Sequence, residues 1–413
     1  MSTMGFFTEN VFLRRTLLML LFLAGLLIRL PHLNETPRNY WTMKQYRSAL
    51  LARALFFNAS TDVPAWRKEA ANAARMSYSE PPLLEMLAAK GYGLLGSEQF
   101  WCFRILTIGA WLLGGWFLWL LGRRLLTDVA ALVSVVVYLF LSFGVIVSRS
   151  FQCDALMLCA LIGSILGIVH YFERPGVVRC LLCTLVSALA IFIKPGSNQF
   201  TIFLVYGFLA LKQQGVGGAL KDGKNWLFAF VALLPAVAYT LWNIMANGYL
   251  MFCLNSNFVP QWFFSIYFWR GWLAQLLSIL GLLLLVLGML GLFVAKGLPR
   301  HVLWAWIGGY VLQCFLTSLT TPSHDYWHLQ FVPLIALGLG ALSLPIGSFM
   351  ARRWGPVMCR TVFGVLLLSY AIFNMGKALR WYAATGPSDY VRISREIGSV
   401  VNHSTKTICF DYD

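Results

Sequence analysis

Ionisable side chains are scarce in this chain, and several of them stand where long apolar runs end. Glu80 lies in Ser79-Glu80-Pro81-Pro82-Leu83, Arg149 and Asp154 bracket a short polar turn, and Lys194 precedes Pro195-Gly196. His324, Asp325 and His328 share another turn. Arginine offers a phosphate a bidentate fork and lysine a point charge. A carboxylate can accept a proton from an attacking hydroxyl or hold a divalent metal. Gathered at one mouth, these residue types suit a phosphate-bearing substrate whose leaving group needs its growing negative charge stabilised. Each also has a plainer reading. Glu80 fits a charge at a helix N-terminus, and Asp154 fits a helix cap. Arg149 fits a lipid-headgroup anchor, and Lys194 a helix end. His324 and His328 have the i, i+4 spacing of metal-binding histidines on a helix, and equally suit a pair of interfacial histidines.

The elements that must position these residues are membrane helices. Of 413 residues, 59% are hydrophobic and 12% charged, about half the charge of a soluble domain. So little polar surface cannot cover a water-facing fold. A spanning helix needs roughly 20 mostly apolar residues. Eleven candidate spans follow: 12–30, 101–121, 128–147, 155–172, 178–193, 198–211, 226–246, 273–295, 302–320, 329–348 and 357–377. The fold class is therefore all-α and polytopic. Arg14 and Arg15 precede the first span and no small-residue cleavage site follows it, which reads as an uncleaved signal anchor. The nine cysteines show no metal spacing; Cys180 and Cys183 form a CxxC inside an apolar run and read as core or lipid-facing residues.

The net charge of +16 raises the question of nucleic acid, but the basic residues are distributed as in a membrane protein. With the N-terminus cytoplasmic, the inner segments hold Arg123, Arg124, Arg174, Arg179, Lys212, Lys221, Lys224, Lys296, Arg300, Arg352 and Arg353. The outer loops after the first hold only Arg149, Lys194 and Arg270. This asymmetry predicts a cytoplasmic N-terminus and an outer C-terminus in a plasma (inner) membrane, with no nucleic-acid partner. The first outer loop, 31–100, is the longest. Its segment 44–57 sets Ala49, Leu50, Ala52, Leu55 and Phe56 among Lys44, Arg47 and Arg53, an amphipathic helix fit for the membrane surface, and 82–95 reads the same way. The loop 247–272 is rich in Trp, Phe and Tyr, either an interfacial belt or a re-entrant wall of a lipid groove. Residues 1–377 thus form one transmembrane domain. The polar stretch 378–413, with a helix over 390–401 and a strand over 407–410, is a short outer tail or a shortened soluble domain.

Several of these pieces, in this order, resemble the GT-C superfamily. They are Gln45-Tyr46-Arg47-Ser48-Ala49-Leu50-Leu51-Ala52-Arg53, Glu80-Pro81-Pro82-Leu83, Gly96-Ser97-Glu98, Phe103-Arg104-Ile105-Leu106, the segment Ser148 to Asp154, Lys194-Pro195 and His324-Asp325-Tyr326-Trp327-His328. The pattern looks most like bacterial relatives of protein O-mannosyltransferases and of the aminoarabinose transferase that modifies lipid A. The resemblance implies a polyprenyl-phosphate sugar donor, an active site outside the cytosol and often a divalent metal of unspecified identity. It implies a hexosyl- or pentosyltransferase of the cell envelope acting on a lipid, glycan or protein acceptor. By position, Glu80 and Asp154 match the family's site carboxylates. Arg149, Lys194 and His324 match contacts to lipid phosphate or sugar, and Lys44, Arg47, Arg53 and Asp325 join them as substrate-binding candidates. Glu80, His324 and His328 are the metal candidates. The family's first-loop acid is missing: Lys44-Gln45 stand in its place, and Glu35 is the only carboxylate nearby. Glu35, Asp154 or Glu80 is then the catalytic candidate. Two alternatives stand beside the transferase: a lipid or solute transporter or flippase, and a catalytically inactive GT-C-like protein. A transporter would place charge near the bilayer midplane, in pseudo-repeated halves; here the charges collect at one face and no repeat is visible.

Overall fold

A computed structural model of the chain describes residues 11–37, 40–74, 80–247, 257–384 and 389–400. Among them every regular element is helical. The spans correspond to α1 (Val11–Leu27), α5 (Phe100–Leu125), α6 (Asp128–Phe140) continued by α7 (Ser142–Val147), α8 (Asp154–Glu173), α9 (Val177–Ile193), α10 (Gln199–Lys221), α11 (Gly223–Asn247), α12 (Ile266–Val294), α13 (Leu298–Leu316), α14 (Phe331–Trp354) and α15 (Pro356–Ala384). Six of these, α5, α8, α11, α12, α14 and α15, are long and apolar enough to cross a membrane by length and composition; α6 and α9 are shorter apolar helices. The chain is an integral membrane protein. The first loop contributes α2 (Thr42–Ala59), α3 (Ala65–Ala73) and α4 (Leu83–Leu95), and α16 (Asp389–Val400) follows the last span.

The helices pack because their backbones can approach. α14 lies between α6 and α12, α5 between α6 and α8, and α9 between α8 and α11. At the α12–α14 contact a Cβ on Gly291 would overlap the Gly338 carbonyl, the close approach that small residues allow between membrane helices. The third span breaks at Leu141, whose backbone is extended. In lipid each freed backbone group needs a partner, and side chains supply them. Arg29 donates to the Leu139 carbonyl at 2.9 Å, and Ser142 N donates to Asn374 Oδ1 at 3.2 Å. On α15, Leu366, Leu368, Ile372 and Phe373 are exposed, as a lipid-facing helix requires.

Alternating spans bring the polar residues to two ends. At one, Arg14 and Arg123 pair with Asp128, and Arg124 pairs with Glu173 at 2.6 Å. At the other, α2 and α4 fold over the helix ends. The apolar face of α2 turns into protein. Ala49, Ala52 and Phe56 pack on Leu84, Ala88 and Tyr92 of α4, with Phe103 and Phe151 beneath. Several span limits also differ. α10 runs on to Lys221, α12 begins at Ile266 so that Trp269 and Trp272 ride on it, and α15 continues to Ala384. The helix expected over 390–401 is α16, and the strand at 407–410 lies outside the described residues.

Candidate functional site

Three segments meet where α2 begins. Tyr40 Oη and Trp41 Nε1 donate to the same Asp325 oxygen at 2.8 and 2.6 Å. Trp41 adopts a left-handed backbone conformation (φ 45°), an unfavourable state for a bulky residue. It is held by this bond and by stacking on His324, ring centroids 4.7 Å apart. One turn on, Gln45 Oε1 accepts from Phe151 N at 3.0 Å, locking α2 to the turn before α8. These ties aim Lys44 at Asp154.

Asp154 is fully buried and has an ammonium on each oxygen. Lys44 Nζ lies 3.0 Å from Oδ2 and Lys194 Nζ 2.5 Å from Oδ1. Both cations also lie over the Tyr326 ring, at 3.7 and 4.8 Å from its centroid, and Lys194 lies 4.8 Å from that of Trp327. Such cation–π contacts strengthen when desolvated. Burial works against the Lys44 charge, but Asp154, with Glu80 beyond it, more than offsets this and raises its pKa. Lys44 is thus a cation that neutralises Asp154.

Beside this group opens a narrow cleft whose walls include Lys44, Arg47 and Ser48 from α2, Glu80 from the turn before α4, Glu85 from α4, and Cys153. Arg47 Nη2 pairs with Glu80 at 3.0 Å. Tyr239 of α11 donates to the Glu80 carbonyl at 3.0 Å, which fixes that turn. Glu85 is 7% exposed, and burial, only partly countered by a hydrogen bond from Ser48, lifts its pKa to about 7. Sequence reasoning did not single out Glu85. A signal existed, because an acid stands among Leu84, Ala88, Ala89 and Tyr92 on the helix face that packs inward.

The structure therefore brings together Lys44, Arg47, Glu80, Asp154, Lys194 and Asp325, and it separates the others. Arg53 pairs with Glu98 at 2.9 Å and ties α2 to the turn before α5. Glu35 pairs with His32 at 2.7 Å on the exposed surface, outside the cleft. Arg149 belongs to a second group: it bonds the Pro31 carbonyl and lies 4.2 Å from the Tyr382 ring centroid. Arg29 and Arg104 stand near it, and Arg104 donates to the His32 and Leu33 carbonyls at 2.8 and 2.7 Å. These buried guanidiniums hold the chain where it enters the first loop. His328 is occupied on both ring nitrogens, by Tyr310 Oη at 2.7 Å and the Thr321 carbonyl at 2.9 Å. Burial lowers its pKa to about 4. Its neutral ring is a structural crosslink between α13 and the turn before α14.

The residues expected to hold a metal do not fit one. Among the described residues no three His, Cys, Asp or Glu side chains are grouped to bind an ion. Glu80 faces Arg47, His324 stacks on Trp41 with Nδ1 2.7 Å from Ser323 Oγ, and His328 is occupied as above.

Other proteins share this architecture. The sequence profile of the dolichyl-phosphate-mannose-protein mannosyltransferase family matches residues 79–242. The fold is similar to that of apo ArnT from Cupriavidus metallidurans, with a TM-score of 0.57 at 14% identity over 89% of this chain and 76% of ArnT. ArnT bound to undecaprenyl phosphate is similar to the same degree, over 91% of this chain and 78% of ArnT. The Archaeoglobus fulgidus oligosaccharyltransferase in complex with Zn and sulfate also gives 0.57, at 10% identity over 96% of this chain and 59% of the enzyme. The chain has the GT-C fold. Within the GT-C fold seen here, the family match covers the second half of the cleft, from the Glu80 turn through Asp154 and Lys194 to α11. No curated protein matches the chain in sequence.

Proposed function

We propose that this chain is a membrane glycosyltransferase that moves a sugar from a polyprenyl-phosphate carrier to an acceptor at the outer face of the membrane. One observation carries the reading: a cleft at one end of a GT-C fold, lined by Lys44 and Arg47 of α2 together with Glu80 and Glu85. A lipid phosphate reaching this cleft along the helix ends meets two cations that can take up the charge of the departing phosphate. Carboxylates lining the same cleft can take the proton of an acceptor hydroxyl. Sugar transfer passes through an oxocarbenium-like state, as glycoside hydrolysis does, so cations and carboxylates lining one cleft suit both partners. The family of the matched profile and the carrier bound to ArnT agree with a lipid-phosphate donor. The basic residues gathered at the opposite end support the reading of a cytoplasmic N-terminus, with the cleft on the outer side.

A second reading rests on Lys44. With its ammonium on Asp154, an inactive protein that only holds the carrier is the competing account. Membranes containing the protein and a radiolabelled polyprenyl-phosphate sugar separate the two. Transfer moves label from the carrier into an acceptor; an inactive member binds the carrier and leaves the label on it.

A further inference from the structure

We propose that Glu85, on the inner face of α4, is the general base that takes the proton of the attacking acceptor hydroxyl. The inference rests on the transferase reading and names the residue that would do its proton transfer. It follows from the state of each carboxylate near the cleft. Asp154 has a lysine ammonium on each oxygen. Glu80 is paired with Arg47. Asp325 is engaged by Tyr40 and Trp41. Glu85 forms no ion pair among the described residues and lines the cleft beside Ser48.

The charged and titratable groups around it are few. α2 presents Lys44, Arg47 and Ser48, the turn before α4 presents Glu80, and the turn before α8 presents Cys153. α5, packed on the other side of α4, adds Cys102 against Gly91. Arg47 favours the carboxylate and Glu80 opposes it, and burial dominates both, which puts the titration near neutrality. A base poised near the operating pH is the efficient choice.

The step balances without any further reactant. The acceptor oxygen forms a bond to the anomeric carbon of the donor sugar while the bond from that carbon to the phosphate oxygen breaks. The acceptor proton passes to the Glu85 carboxylate, and the lipid phosphate leaves as an anion beside Lys44 and Arg47. Glu85 then releases its proton to water through the open cleft.

The test compares the wild type with Glu85→Gln and Glu85→Asp in membranes, following transfer of radiolabel from a polyprenyl-phosphate sugar between pH 5.5 and 9. Wild-type turnover should rise with pH through a midpoint near 7. Glu85→Gln, an isostere, should match the wild-type melting temperature near pH 5.5 and keep carrier affinity but lose turnover by about 100-fold or more, with the pH limb gone. Glu85→Asp should retain part of the turnover with a shifted limb. A separate readout needs no transfer: dicyclohexylcarbodiimide, which reacts with protonated carboxyls in apolar surroundings, should label wild type with a midpoint near pH 7 and spare Glu85→Gln at that site. Turnover in Glu85→Gln within threefold of wild type, with the limb intact, overturns the assignment and leaves the transferase standing. Absence of transfer by a wild type that carbodiimide still labels near pH 7 overturns the transferase reading and, with it, the role of Glu85.

Discussion

Asp154 and its two lysines yield an asymmetric prediction. The three side chains are one carboxylate and two ammoniums, with Asp154 fully buried, Lys194 3% exposed and Lys44 14% exposed. Removing Lys194 by substitution to Met leaves Asp154 paired with Lys44, so charge balance improves while one contact is lost. Removing the anion by Asp154→Asn leaves two ammoniums about the Tyr326 ring with no counter-charge. Leaving a buried charge without its partner costs about 3–5 kcal/mol, whereas a lost charged hydrogen bond with balance retained costs about 1.5–3 kcal/mol. Asp154→Asn should therefore destabilise the protein by about 2 kcal/mol more than either Lys194→Met or Lys44→Met. The double variant Asp154→Asn/Lys194→Met should be less destabilised than the sum of its parts by at least about 1.5 kcal/mol, a coupling typical of contacting residues. Unfolding of the purified protein in mixed micelles, followed by tryptophan fluorescence against denaturing detergent, reads these differences. Equal losses for the three single variants, with additive doubles, would refute the ion triad as a coupled unit.

Three further outcomes follow from the same geometry. Arg47→Met removes a cation from the wall of the cleft and should weaken binding of the polyprenyl-phosphate carrier by about 10- to 100-fold, the equivalent of about 1.4–2.8 kcal/mol, as measured by fluorescence quenching. Glu85 binds its proton more tightly in the folded chain than in the unfolded one, since its pKa rises from 4.5 to about 7. Wild-type stability should therefore fall as pH climbs between those values, by up to about 3 kcal/mol at full effect. Glu85→Gln should lack that slope in melting curves taken from pH 5 to 8 and be the more stable protein at pH 8. For orientation, a single cysteine at Asp62 should react with impermeant maleimide from outside the cell, and one at Lys221 only after permeabilisation.

The membrane helices were legible because apolar length is a signal carried by each segment alone. All eleven spans coincide with helices, with errors where composition and geometry part. Lys212 and Gln213 suggested an end to α10 that the helix passes through, and aromatic residues 266–272 looked like a loop although α12 begins there. Site residues were harder to read. Glu80, Asp154 and Lys194 were found because each is a charge at the end of an apolar run, and Lys44 and Arg47 because they stand on the amphipathic segment 44–57. Arg149 has the same local signature, yet it turns to Pro31 and Tyr382. Nothing local distinguishes the two directions, which are set by the break at Leu141 and the tight turn that follows. His328 was misread because i, i+4 spacing presumes a regular helix, and residues Asp325–His328 form a 3₁₀ turn that buries the ring against Tyr310. Glu85 was passed over because α4 was read as surface-lying, where an acid needs no explanation; packed against α2, the same position becomes a buried carboxyl in a cleft.

Where the carrier phosphate sits tests the account at its root. A polyprenyl phosphate bearing a diazirine next to its phosphate, incorporated into liposomes with the protein and activated by light, should crosslink to peptides spanning Lys44–Ser48 and Glu80–Glu85. An excess of unlabelled carrier should suppress that adduct, and Arg47→Met should reduce it. Crosslinks confined to the basic end around Arg123, Lys212 and Arg352, or none that unlabelled carrier displaces, would contradict a carrier site in this cleft.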